Sequence, residues 1–199
     1  MSDVWSRYHL VLTGFLLALP VALLVVALRA CALRARVLRV RVLRRGGEPV
    51  PEPPGAPLES AATRRSGPVR CAAFEVAAVY GTLPWLAMTL TPDPGAPRRI
   101  QLVPLHDLAA LAGAPAQTVA VQLIGNLLVF AAAGFFLPLR YPALRSLPRV
   151  ALLAALGSVL IETVQYAADL GRVSSIDDVL VNAAGAGLFA LLSRPLWRR

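Results

Sequence analysis

Five apolar runs of membrane-spanning length divide this chain, and they restrict its fold more than any other feature of the sequence. Residues 8–28, 118–139 and 179–192 carry no charge. Residues 71–90 carry one, Glu75, and residues 150–168 carry one, Glu162. About 20 consecutive apolar residues cross a bilayer as an α-helix, and longer runs tilt. The last run is short, and it reaches span length if the helix starts at Asp178 or just before it, in the headgroup region. The predicted fold is therefore all-α, a polytopic transmembrane bundle of about five helices. Apolar residues form 57% of the chain and the mean hydropathy is +0.63, above the level of ordinary globular domains.

All 20 basic residues are arginine. Sixteen fall in segment 29–70, in loop 140–149 or after residue 192, and four (Arg7, Arg98, Arg99, Arg172) fall on the opposite side. The positive-inside rule then predicts an N-terminus outside and a C-terminus in the cytoplasm. A multi-pass protein of the cytoplasmic membrane, with the lipid bilayer as its constant partner, is the expected setting. The pI near 11 does not indicate nucleic-acid binding, because the arginines follow the membrane topology and no aromatic interleaving accompanies them. The first apolar run is too long for the core of a removable signal peptide and reads as a retained span. Cys31 and Cys71 lie at cytoplasmic span ends, where thiols stay reduced. With no histidine near them they form no metal site, and no cofactor is expected.

The domain reading follows composition. Residues 1–45 hold the first span and a basic cytoplasmic extension. Residues 46–69 form a Pro/Gly-rich linker. Residues 70–192 form a four-helix membrane core, and 193–199 a basic cytoplasmic tail. On this reading the first span is an addition to the core. The outer loop 91–117 contains Leu102-Val103-Pro104-Leu105 followed by His106 and Asp107. An interfacial helix or a shallow dip toward the bundle fits its short apolar pieces. Glu75, near the cytoplasmic boundary, is expected to snorkel toward water.

Polar residues interrupt the last spans at regular intervals. Ala151, Ala155, Ser158, Glu162, Gln165 and Asp169 share one helical face, as do Asp178, Asn182, Gly185 and Phe189, and Gln122, Asn126 and Phe130. Counted at about 1.5 Å per residue, Glu162, Gln165, Asn126 and Asn182 fall at similar depths in the outer leaflet. Arg172, Asp177 and Asp178 would cap them from the loop between the last two spans. A carboxylate in hydrocarbon costs several kcal/mol on most scales, so it needs a partner or a function. Glu162 and Asp178 are the candidate catalytic groups. Arg172, Gln165, Asn126, Asn182 and Asp177 are the candidate ligand-binding groups, with Arg172 as counter-ion to Glu162 or to a ligand phosphate. Ser174 and Ser175 fit a helix N-cap. Gly134, Gly185 and Gly187 are the candidate positions of close helix packing.

These residues resemble a known family. Glu162-Thr-Val-Gln165, Gly171-Arg172 and Ile176-Asp177-Asp178-Val179-Leu180-Val181-Asn182-Ala-Ala-Gly185-Ala-Gly187 are similar to the signature of VanZ-like bacterial membrane proteins. Leu102-Val103-Pro104-Leu105 and Asn126-Leu-Leu-Val-Phe130-Ala-Ala-Ala-Gly134 resemble two earlier pieces of it, so the likeness spans residues 72–192. Ala132 stands where the family often has Pro, and Ser175 where it often has Asp. The resemblance implies an integral membrane protein. The family takes its name from an accessory factor in resistance to teicoplanin-type glycopeptides.

Three functions remain open on these grounds. One is binding of, or action on, an anionic envelope or lipid-linked ligand at the outer leaflet. Another is a membrane enzyme with a carboxylate general base. The third is a structural or assembly module whose polar cluster only packs helices. A transporter fits less well, since no inverted repeat or broken helix pair is evident.

Overall fold

The computed structural model describes residues 2–45, 67–93 and 99–197. Most of the linker reading (46–66) and the last two residues of the tail lie outside the described residues. Helices dominate the rest. They are α1 (Ser2–Leu17), α2 (Leu19–Arg45), α3 (Pro68–Thr89), α4 (His106–Ala110), α5 (Ala116–Val129), α6 (Ala131–Arg140), α7 (Leu147–Ala167) and α8 (Ile176–Ser193). Two three-residue strands, β1 (Arg99–Gln101) and β2 (Val173–Ser175), complete the framework.

Four helical stretches are long and apolar enough to cross a membrane: Pro68–Thr89, Ala116–Arg140, Leu147–Ala167 and Ile176–Leu196. Tyr8–Leu17 and Leu19–Val40 make a fifth when taken as one span bent by 43°. Pro20 explains the bend, because it lacks an N–H and its ring crowds the preceding turn. The third span is also divided, at Phe130 (φ −110°, ψ 15°). The Phe130 ring packs over Gly157, where a Cβ would lie 2.9 Å from it. α8 begins three residues before the apolar run, with the Ser175 hydroxyl accepting from the Asp177 N–H at 3.2 Å.

The spans meet through small residues. α8 is central, packed against α5, α6 and α7, while α3 packs on α6. Val150, Ala154, Ala186 and Ala190 form a core between α7 and α8, closed by Phe130 and Trp197. The buried stripe of α7 is Val150, Ala154, Ser158, Ile161 and Gln165. It lies beside the Ala151–Ala155–Glu162 line expected from spacing, and those three are half-buried. A Cβ on Gly134 would stand 2.3 Å from the Ala186 carbonyl oxygen, and one on Gly185 2.1 Å from that of Leu127. Gly187 differs from the expected packing role, since a Cβ there meets nothing within 4 Å.

The first span is more closely joined to the core than its composition suggests. Ala30 and Leu33 of α2 bury against Cys71 and Ala72 of α3. The Tyr80 hydroxyl donates to the Phe15 carbonyl at 2.5 Å, and the two rings stack at 3.8 Å. Glu75 does not snorkel. Its carboxylate accepts from Arg29 Nε on α2 at 2.7 Å and from Arg140 Nε on α6 at 2.6 Å. Tyr141 adds a 3.3 Å hydrogen bond to the same carboxylate, and its ring lies 4.7 Å from the Arg140 guanidinium carbon. Arg140 is fully buried. Thus one carboxylate joins three helices, and an arginine placed like a topology signal is an internal group.

Candidate functional site

Two loops at one end of the bundle build the site. The Asp93 N–H donates to the Leu170 carbonyl at 2.8 Å, and β1 pairs in parallel with β2, Gln101 opposite Ser175. The loop after α3 is thereby tied to the loop that opens α8. The chain then turns at Leu105, whose φ of 64° is left-handed. Such a conformation costs an L-residue roughly 1–2 kcal/mol and needs support from its surroundings.

Asp177 supplies that support. Its Oδ1 accepts from the Leu105 N–H at 2.5 Å, and its Oδ2 from the Asp107 and Leu108 N–H groups at 2.9 and 3.1 Å. The side chain is 1% exposed. A carboxylate here neutralises backbone donors that the short helix α4 leaves without internal acceptors. The residue expected to bind ligand therefore has both oxygens committed to the loop 70 residues earlier in the chain.

Beside this anchor lies a small, partly open cleft, with a cavity volume of about 10 Å³. Asp107, Gln122, Asn126, Asp177 and Asp178 are its polar lining, and Leu108, Leu111, Leu123 and Val181 its apolar walls. Asn126 Nδ2 donates to Asp178 Oδ1 at 2.5 Å, which orients the carboxylate. The Ser175 hydroxyl donates to Asp107 Oδ2 at 2.5 Å, and His106 Nδ1 lies 3.1 Å from Asp107 Oδ1. Partial burial alone would raise the Asp107 pKa, but the Ser175 and His106 contacts outweigh it and hold it below the usual aspartate value. Asp107 is thus ionised at neutral pH. Ser175, where the related pattern often has Asp, gives Asp107 a donor where a second carboxylate would repel it.

Glu162 stands on the other side of Ser175. Its Oε2 accepts from the Ser175 N–H at 3.0 Å, while its carbonyl accepts from the Ser174 hydroxyl at 3.0 Å. Arg172 makes no ion pair with it. Instead, the guanidinium donates to the carbonyls of Thr91 (3.3 Å) and Met88 (3.4 Å), and to the Tyr8 hydroxyl (3.4 Å). Gln165 Nε2 donates to the Thr89 carbonyl at 2.7 Å. The common cause is the C-terminus of α3, whose last carbonyls lack helical partners and carry the negative end of the dipole. Arg172 remains within electrostatic range of both Glu162 and Asp178. Asn182 is elsewhere: its Nδ2 donates to Ser158 Oγ at 2.7 Å, a buried bond between α7 and α8.

The polar residues picked out by spacing thus separate by partner. Asn126 and Asp178 face the cleft, Glu162 supports the Ser175 backbone, and Arg172 with Gln165 ties the end of α3. Asn182 joins helices deeper in the bundle. The sequence offered Asp107 only as half of a weaker His106-Asp107 acid/base pair at the pocket mouth, and Ser175 only as a helix cap; the fold bonds the two to each other. Among the described residues, no three His, Cys, Asp or Glu side chains are placed to hold a metal ion.

No curated protein and no solved structure gave a significant match to this chain. The VanZ/LLP1 family does match, over residues 78–198, a range that holds the paired loops, the cleft, the second half of α3 and the three spans after it. The chain belongs to the VanZ/LLP1 family.

Proposed function

We propose that this protein sits in the bacterial cytoplasmic membrane with the paired loops outside, and that its cleft binds an envelope or lipid-linked ligand at the outer leaflet. The observation that carries the reading is Asp178, held by Asn126 in the cleft wall with Asp107 beside it. The acidic and amide groups of this pocket suit hydroxyl or ammonium donors of a headgroup. Arg172 supports an anionic part of the same ligand. Arg172 does not line the cleft, but it lies within electrostatic range of Asp178, and its guanidinium suits a phosphate. Gln165, Asp177 and Asn182 serve this reading by holding the frame. Any base chemistry would fall to Asp178 or Glu162.

The test is mass spectrometry of lipids and envelope precursors that co-purify with the protein. A species retained by the wild type is expected to be lost in Asp178→Asn and in Arg172→Ala. Each removes a charged hydrogen-bonding group worth about 1.5–3 kcal/mol, on the order of ten- to a hundredfold in affinity. Glu162→Gln keeps an oxygen for the Ser175 N–H, so it should fold normally. If it retains the ligand but abolishes a cellular phenotype, the charge is needed for chemistry. If all three variants retain the ligand and the phenotype, the polar cluster only packs helices. The family name makes teicoplanin susceptibility the first phenotype to score.

Orientation is tested separately, in a variant with exposed Cys31 replaced by Ser. A cysteine at Asp93 should react with an impermeant thiol reagent in intact cells, and one at Ala143 should not. The opposite pattern would reverse the assignment.

A further inference from the structure

The connection between β1 and α4 exposes large apolar side chains that no other described element covers. Leu102 is 72% exposed, Val103 59% and Leu105 60%, with Ile100 on β1 at 48%. The loop holding them is nevertheless well fixed. Gln101 is paired with Ser175 on one side of the tip, and the Leu105 N–H is bonded to Asp177 on the other. Both anchors belong to the first turn of the span Ile176–Leu196 or the residue before it. The depth of the tip is therefore set by the start of a membrane span, at the boundary between headgroups and acyl chains.

We propose that residues 102–105 form a membrane-inserted tip whose occupant is lipid of the adjoining leaflet. Continuity with the lipid-facing belt of the spans favours lipid over a protein partner. Leu180 on α8, and Val121 and Ile124 on α5, are exposed on helices that rise to the same end of the bundle. An apolar tip at that level extends the belt outward, and it carries no charged side chain to oppose burial. Pro104 also removes one backbone donor from a turn that leaves water. The same segment continues into Leu108 and Leu111, two walls of the cleft. Insertion would hold the cleft mouth at headgroup depth, so that a lipid-linked ligand enters from the leaflet. The inference about the tip does not depend on what the cleft binds.

Spin labels in vesicles test it. In a Cys31→Ser background the buried Cys71 can stay, and Val103→Cys, Leu102→Cys and Asp93→Cys are labelled singly with a nitroxide. The protein is reconstituted in phosphatidylcholine–phosphatidylglycerol vesicles. Collision rates with oxygen, which concentrates in lipid, are compared with those of a water-soluble nickel chelate. At 102 and 103 the oxygen-to-nickel ratio is expected to exceed that at 93 several-fold. A ratio equal to that at 93 would place the tip in water and overturn the proposal. Low collision rates with both reagents would also overturn it, because they mark burial against protein, such as a second copy of this chain. Two tip sites make the result independent of the folding of either variant. Failure here, with ligand still bound, would leave the functional reading intact.

Discussion

Glu75→Gln is expected to destabilise the folded protein by about 3–5 kcal/mol, the range for breaking a buried ion pair by removing one partner. The size follows from what remains. Arg140 is fully buried and would lose the carboxylate 2.6 Å away, and Arg29 would lose the same carboxylate at 2.7 Å. The adjacent Tyr141 ring offsets only a small part, since such cation–π contacts are worth about 0.5–2 kcal/mol. Chemical denaturation in detergent micelles would measure the loss. Replacing Arg140 with Met in the same chain should recover most of it, because an uncharged side chain of similar volume is tolerated where an uncompensated buried charge is not. A loss in the double variant equal to the sum of the losses in Glu75→Gln and Arg140→Met would mean that the pair is not coupled. Arg29 lies on the first span, so Arg29→Met should also loosen the packing of α2 on α3.

Gly185→Ala should cost about 1–3 kcal/mol, while Gly187→Ala, two residues away, should be neutral or stabilising by about 0.5–1 kcal/mol. The two sites differ in direction, not in residue type. The new Cβ at 185 would lie 2.1 Å from the Leu127 carbonyl oxygen and 2.8 Å from its Cα, so the α5 backbone must move. At 187 nothing lies within 4 Å. The displacement has a consequence for the cleft, because Leu127 follows Asn126, which holds Asp178. Gly185→Ala should therefore weaken ligand retention as well as stability. Thermal unfolding of the two variants in one detergent gives a direct comparison. Equal melting temperatures would show that α5 and α8 are not in backbone contact. Gly134→Ala, facing the Ala186 carbonyl at 2.3 Å, should behave like Gly185→Ala.

Much of the architecture was legible in the residues alone. Span number and position follow from the transfer cost of each side chain into lipid, summed over about 20 neighbours, and that sum needs no knowledge of the fold. The α8 start at Ser175 was legible for a similar reason, since a hydroxyl before two acidic residues caps a helix locally. Asn126, Glu162 and Asp178 were conspicuous because polar groups are costly in apolar runs. The family signature was legible as well.

What the sequence left open was which group each polar side chain would meet. Glu75 and Arg140 are 65 residues apart, and each taken alone looks like an ordinary charge at a membrane boundary. Asp177 looked available for ligand because its partners are backbone N–H groups of a distant loop, which no side-chain pattern reveals. Arg172 was matched to Glu162, ten residues earlier, yet the carbonyls at the end of α3 compete for it. Gly185 and Gly187 carry the same sequence signal, and only the helix azimuth separates a tight contact from open space. The sequence by itself therefore determined the all-α span pattern and the polar positions that must be accounted for. The tertiary structure decided their partners, because hydrogen bonds and ion pairs act over a few ångströms between segments that sequence distance does not relate.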